Sequence, residues 1–293
     1  YVGIAQGSDR YWFTVAAPSA NLPGAGNGGI VFLYNSASIT DANETPFYIN
    51  GALGTGSQDF ETALTCSNYT NTNKGLRGCN LVVGKMDDGV EYVHVVAGLL
   101  PNTASNMGSA SFWTCSGSIS ASYPYGTNLG VTAVTLTASN QVASDEDFKF
   151  GKYANILSSS NGIYVSVARE SGSIAAPPTA LTGGGIYVYR FTGNPPFSAP
   201  PESNWILTCS AGDQYDRMRL GIRHDMVTGT ATDDECIYVS AGVESYRLGT
   251  PRPKAGPWLF RLGEPPVAGL QTGISSQSLD FPLSPWGSVQ SDN

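Results

Sequence analysis

FGKYANILSSSNGIYVSVARES (150–171) and, after a loop, GGGIYVYRF (183–191) form the stretch on which the fold turns. Ile163–Ala168 and Ile186–Phe191 are β-branched and aromatic, the side chains that fit a pleated surface, so each run reads as a strand. Asn161-Gly162 just ahead of the first run signals a hairpin, because Asn and Gly tolerate the positive φ of a tight primed turn.

The same unit recurs along the chain. Its opening strand reads Tyr11–Ala17, Tyr92–Gly98, Ile163–Ala168 and Ile237–Gly242. The partner strand follows a glycine each time, at Gly29, Gly108, Gly185 and Gly256. A third element, Leu-Thr-Cys/Ala-Ser, lies at Leu64, Leu136 and Leu207, with a weaker match over 279–284. A fourth run precedes each opening strand, over 1–6, 80–85, 151–157 and 220–225. Each period of roughly 72 residues therefore predicts four short strands, within repeats 1–70, 71–142, 143–211 and 212–285. One such module cannot bury its apolar faces alone, so neighbours must cover one another. The expected fold is all-β, a single β-propeller domain over 1–293 built from four four-stranded repeats. A β-sandwich, or part of a larger propeller, is the alternative.

Phe150-Gly151, then an Asn/Gly turn, then IYVSVA and GGGIYVY resembles an FG-GAP repeat, the blade of the integrin α-chain propeller. Trp286-Gly287-Ser288-Val289 resembles the opening of another such repeat, and Ala16-Ala17-Pro18 matches the GAP signature in the first unit. The resemblance implies adhesion or ligand binding through loops on one face of a ring. The family's calcium loop, an Asp-x-Asp-x-Asp-Gly run, is absent from this chain. Residues 285–293 look like the start of a fifth unit and Tyr1 like the middle of the same inner strand, so the two ends are expected to meet and close a four-bladed ring. The start at Tyr1, with neither Met nor signal-like segment, reads as a mature or trimmed product or a fragment.

Composition bounds the partners. Of 293 residues, 41% are hydrophobic, as expected of a folded chain, while only 13% are charged. The surface must therefore be built from Ser, Thr, Asn and Gly, which fits a secreted or surface-displayed protein. A net charge of −8 argues against nucleic acid or an anionic membrane, both of which need clustered Lys and Arg. No apolar run approaches the ~20 residues that span a bilayer.

Cys66 and Cys209 occupy equivalent repeat positions, and Cys79 and Cys236 each lie further along the same period. Disulfides Cys66–Cys79 and Cys209–Cys236 are the expected pairing, with Cys115 left over; buried thiols are the alternative. Asn43-Glu44-Thr45 and Asn68-Tyr69-Thr70 are glycosylation sequons.

Chemistry-bearing residues are few. His94 sits among valines and reads as a packed strand residue, since a metal site needs several convergent donors. His224 precedes Asp225, but neighbours in a strand point to opposite faces. Neither a Gly-x-Ser-x-Gly elbow, a zinc motif nor a glycine-rich phosphate loop is present. Asp9, Asp87, Asp88, Asn161, Asp233 and Asp234 cluster at the turn before each opening strand, where turn stabilisation by local hydrogen bonds outweighs vestigial calcium binding. Pro195-Pro196 and Pro265-Pro266 mark matching links of expected extended geometry. Trp12, Trp113 and Trp258 fall in strand patterns and are expected to pack between sheets, whereas Tyr123, Tyr125, Tyr215 and Tyr246 lie in loops or at strand ends and are the candidate ligand-binding residues. The expectation is a non-enzymatic extracellular module that needs no cofactor and recognises a glycan or protein. A structural subunit of a sheath, filament or virion and a carbohydrate-processing hydrolase are the alternatives.

Overall fold

The computed structural model describes residues 2–17, 30–36, 62–65, 76–99, 109–116, 131–136, 150–151, 153–169, 185–198, 205–207, 217–231, 234–246 and 256–262. These residues form antiparallel sheets and no α-helix. Sheet 1 comprises β1 (Val2–Gln6), β2 (Tyr11–Ala17), β3 (Ile30–Asn35) and β4 (Thr62–Thr65). Sheet 2 comprises β5 (Leu76–Lys85), β6 (Glu91–Leu99), β7 (Ser109–Ser116) and β8 (Val131–Leu136). Sheet 3 comprises β9 (Tyr153–Ser159), β10 (Gly162–Arg169), β11 (Gly185–Phe191) and β12 (Trp205–Leu207). Sheet 4 comprises β13 (Arg217–Ala231), β14 (Asp234–Tyr246) and β15 (Gly256–Arg261). In every sheet the strands lie side by side in chain order.

The Leu-Thr-Cys/Ala-Ser element begins within the fourth strands, and its remaining residues lie outside the described ones. The strands β4, β8 and β12 stop at Thr65, Leu136 and Leu207. The hairpin at 159–162 forms one residue earlier than the Asn-Gly pair suggests. Ser159 pairs with Gly162 across Ser160 and Asn161, so Gly162 is the first residue of β10. Its φ of 129° suits glycine, and a Cβ there would meet the Phe191 carbonyl oxygen at 2.4 Å.

Strand periodicity of two gives each inner sheet two apolar faces, and consecutive sheets bury them against each other. Between sheets 1 and 2, Trp12, Ala16, Val31 and Leu33 meet Leu81, Val93, Val95 and Trp113. Between sheets 2 and 3, Val96, Phe112 and Leu136 meet Ile156, Val165, Tyr187 and Phe191. Between sheets 3 and 4, Tyr164, Val188 and Trp205 meet Met226, Val239 and Phe260. Val93 and Val95 thus face one neighbour while Val96 faces the other, and Val165 and Tyr164 divide in the same way.

The first strands draw together: β1 packs on β5, β5 on β9, and β9 on β13. Among the described residues no packing of that extent joins β13 to β1, and the meeting of Tyr1 with 285–293 expected to close the ring lies outside them. The Pro195–Pro196 peptide is cis, not extended. The expected sequons at Asn43 and Asn68 lie outside the described residues, as do Asp233, 264–266 and 285–293.

Candidate functional site

The polar side chains buried in this molecule gather where consecutive sheets meet. On each first strand an alternate pair of residues turns back onto the preceding sheet: Cys79 and Leu81 on β5, Ala154 and Ile156 on β9, His224 and Met226 on β13. The residue between the two members of each pair turns the other way, giving Asn80, Asn155 and Asp225. These three form a row across β5, β9 and β13. Asn80 Nδ2 donates to Asn155 Oδ1 and to the Ala154 carbonyl, both at 3.2 Å. Asn155 Nδ2 donates to Asp225 Oδ1 at 2.7 Å and to the His224 carbonyl at 3.2 Å. Asn155 Oδ1 also accepts from the Ile156 N–H at 2.8 Å. Asn155 is buried with every hydrogen-bonding valence used, which makes it a rigid tie between three sheets.

His224 extends the seam. Its Nε2 lies 2.6 Å from Ser166 Oγ on β10, and Tyr153 meets the imidazole edge to face at a centroid distance of 5.3 Å. Both Ser166 and His224 are buried. Burial pushes the histidine pKa down to about 4, against a smaller upward effect of a hydrogen bond to the Ser166 backbone. This resembles a nucleophile and base, but the pattern is incomplete. Nδ1 of His224 has no partner among the described residues, and the Asp225 carboxylate is exposed on the other face, as strand geometry requires. A sealed pair without an orienting acid cannot present an oxygen to a substrate in this conformation.

His94 on β6 is the second buried histidine. Its Nδ1 lies 3.1 Å from Thr114 Oγ1, Phe112 stacks on it at 5.9 Å, and Nε2 has no partner among the described residues. Burial alone takes its pKa down to about 3. At the interface between sheets 1 and 2, Cys79 Sγ donates to Thr14 Oγ1 at 3.5 Å. Cys79 and Cys115 carry free thiols, without the expected Cys66–Cys79 bridge, and no disulfide is found among the described residues. The Cys79 side chain is committed to the sheet interface, where Thr14 is its partner. Burial pushes the Cys115 thiol up to about 12, too high for a thiolate nucleophile at neutral pH. Cys66 and Cys209 lie outside the described residues, and Cys236 falls within β14.

The acidic turns act locally. Asp88 Oδ1 accepts from the Val90 N–H at 2.9 Å and Oδ2 from the Tyr92 hydroxyl at 2.8 Å, and this bond raises the Tyr92 pKa. Gly89 follows at φ 74°, as a turn of this kind needs. Asp9 pairs with Arg10, which lowers its pKa. The Asp88 N–H donates to Asn194 Oδ1 at 2.9 Å and the Ser8 N–H to Glu91 Oε2 at 2.9 Å, so these turns also bind one sheet to the next. Asn161 offers its carbonyl to the Arg190 guanidinium at 2.7 and 2.9 Å. Among the described residues no group of three or more His, Cys, Asp or Glu could hold a metal ion, and no helix is long and apolar enough to cross a membrane.

Of the four tyrosines singled out for ligand binding, Tyr246 alone is among the described residues. Tyr246 closes β14, paired in register with Arg217 at the start of β13, and Tyr215 lies two residues before Arg217 in sequence. Tyr123 and Tyr125 belong to the connection from β7 to β8, which leaves sheet 2 at the opposite end. Tyr123, Tyr125 and Tyr215 lie outside the described residues. Trp12 and Trp113 are packed between sheets 1 and 2, as their strand positions suggest.

Sequence reasoning missed the Asn80–Asn155–Asp225 row and the Ser166–His224 pair. A signal for the row existed: Cys79-Asn80-Leu81, Ala154-Asn155-Ile156 and His224-Asp225-Met226 repeat a polar residue between two inward ones. No family model, curated protein or solved structure matches the chain.

Proposed function

We propose that the chain is a propeller-type binding scaffold, displayed outside the cell, that recognises a glycan or protein ligand through its connecting loops. One observation carries this reading. Each sheet is locked to the next by a sealed apolar and polar interface, while long connections leave the strands at both ends, 18–29, 66–75, 100–108, 137–152, 170–184, 208–216 and 247–255 at one and 36–61, 117–130 and 192–204 at the other. Loops carried on a rigid strand scaffold are a common arrangement for recognition. The radial arrangement is supported by the convergence of β1, β5, β9 and β13, with the sheets packed in chain order. The buried Ser166–His224 pair and the thiol of Cys115 are no basis for an enzyme.

Tyr246, at the end of β14, and Tyr215, two residues ahead of β13 in sequence, are the residues on which a ligand would rest, because tyrosine offers an apolar face and a polar tip. A glycan array followed by titration of any hit against Tyr215→Ala and Tyr246→Ala tests this. The expected result is at least a tenfold loss of affinity in each variant with unchanged melting. Binding unaffected by both variants, but lost in Tyr123→Ala and Tyr125→Ala, would move the site to the other end and overturn the assignment.

A second reading, a structural subunit of a larger assembly, is favoured by the uncovered outer faces of the first and last sheets.

A further inference from the structure

The inward-turning pair on each first strand is a fixed part of the sheet interface. Cys79 and Leu81, Ala154 and Ile156, and His224 and Met226 are all buried. On β1 the equivalent residues are Val2 and Ile4, since Gly3 and Ala5 turn towards sheet 2. They are 73% and 63% exposed. Tyr11, at the end of the same hairpin, is also exposed.

Sheet 4 carries the opposite half. The face that Thr14, Val96 and Ser166 form on earlier sheets is represented there by Ser240, which is exposed. Beside it Val227 is 54% exposed, and the Tyr238 ring lies over Gly229, where a Cβ would meet it at 2.8 Å. Terminal modules of a repeat array normally end in a polar cap. Here both terminal faces present apolar side chains, Val2 and Ile4 on one and Val227 and Tyr238 on the other, at positions that help seal the internal interfaces, with exposed Asp225 and Ser240 beside them on sheet 4. Among the described residues they do not seal each other, because β13 makes no extended packing with β1.

We propose that these faces are the two halves of one interface made between two copies of this chain, the last sheet of each seated on the first sheet of the other. Val2 and Ile4 of one copy then pack on Val227 and the Tyr238 ring of the next, repeating between chains what Leu81 and Ile156 do within one. Two copies joined at both seams form a ring of eight sheets, at the upper end of the range that propellers occupy. The two copies are related by a two-fold axis, so the first sheet of each meets the last sheet of the other and both seams use the same pair of surfaces. The inference rests on the radial reading of the sheets and is independent of the loop ligand.

The test is the mass of the full chain in solution by sedimentation, across a hundredfold range of concentration. Wild type is expected at twice the 30.7 kDa chain. Ile4→Lys and Val227→Lys are each expected to give monomers with unchanged circular dichroism, because both positions are solvent-facing in the single chain. Mixing the two variants should restore a dimer, since one unmutated pair of faces remains available. A wild-type monomer throughout the range overturns the proposal, and so does a dimer that both lysine variants leave intact. A ladder of species larger than two overturns the ring. A monomer that still binds its ligand through Tyr215 and Tyr246 would sink the second copy while leaving the binding scaffold standing.

Discussion

The interface between sheets 2 and 3 and the one between sheets 3 and 4 solve the same packing problem with different chemistry. At the first, Ala154 occupies the inward position on β9, beside a cluster of Phe112, Phe191 and Phe197 with ring centroids 4.5 to 6.0 Å apart. At the second, the equivalent position on β13 is His224, held by Ser166. Alanine at that position is indifferent to pH, although the same seam also buries His94 against Phe112. A neutral imidazole sealed at the same place serves well only while it stays neutral. The difference shows that position in the module dictates burial, while local pairing decides whether an apolar or a polar residue can occupy it.

The largest expected effect is on the apolar side of the comparison. Phe112→Ala removes a ring that touches Phe191, Phe197 and His94 and should cost about 3–5 kcal/mol, read by urea unfolding. Trp205→Ala at the other interface, where the indole stacks on Tyr164 at 5.9 Å, provides the matching measurement. A smaller loss at Phe112 than at Trp205 would reverse the ranking of the two seams.

Acid should come next and act on the polar side. The folded pKa of His224 is about 4, below its ordinary 6.5, so the unfolded chain binds the proton more readily. Stability is then fully present above about pH 6.5 and falls as pH drops towards 4, by about 3 kcal/mol from this group. His94, at about 3, adds a loss of the same sign that continues to lower pH. His224→Gln cannot take up the proton, so its urea midpoint should vary less between pH 7 and 4.5 than that of wild type. An equally steep descent in the variant would locate the acid sensitivity elsewhere.

The smallest effect separates hydrogen bonding from packing. Ser166→Ala strips His224 of its Ser166 partner and should cost about 1–3 kcal/mol. Replacing both residues, with Ser166→Val and His224→Ala, imitates the Val96 and Ala154 chemistry of the other seam. The double variant should lose less at pH 7 than the two single losses added together. Strict additivity in that cycle would mean the pair is not coupled.

The strands were legible because their signal is local. Ile163–Ala168 and Ile186–Phe191 carry β-branched and aromatic side chains without interruption, and they lie within β10 and β11. The opposed orientations of His224 and Asp225 followed from strand geometry alone. Long-range pairings were harder to read. Ser166 and His224 are 58 residues apart, and nothing in IYVSVA states which sheet its hydroxyl will face. The exposure of Val2 and Ile4 was equally hidden, because a Val-x-Ile alternation looks the same whether or not a neighbour covers it. Local sequence encodes the module, whereas the coverage of its outer faces depends on what is assembled beside it.

The amide row has a direction. Asn80 and Asn155 each hand hydrogen bonds forward to the following strand, and the sequence of donors stops at Asp225, whose carboxylate has no N–H to pass on. At the other end Gly3 has no side chain with which to begin one. The modules are therefore not interchangeable parts: copying the third sheet would extend the relay, while copying the fourth would set carboxylate against carbonyl. Any further neighbour beyond sheet 4 must bring its own donor to Asp225, or rest on the greasy surface beside it.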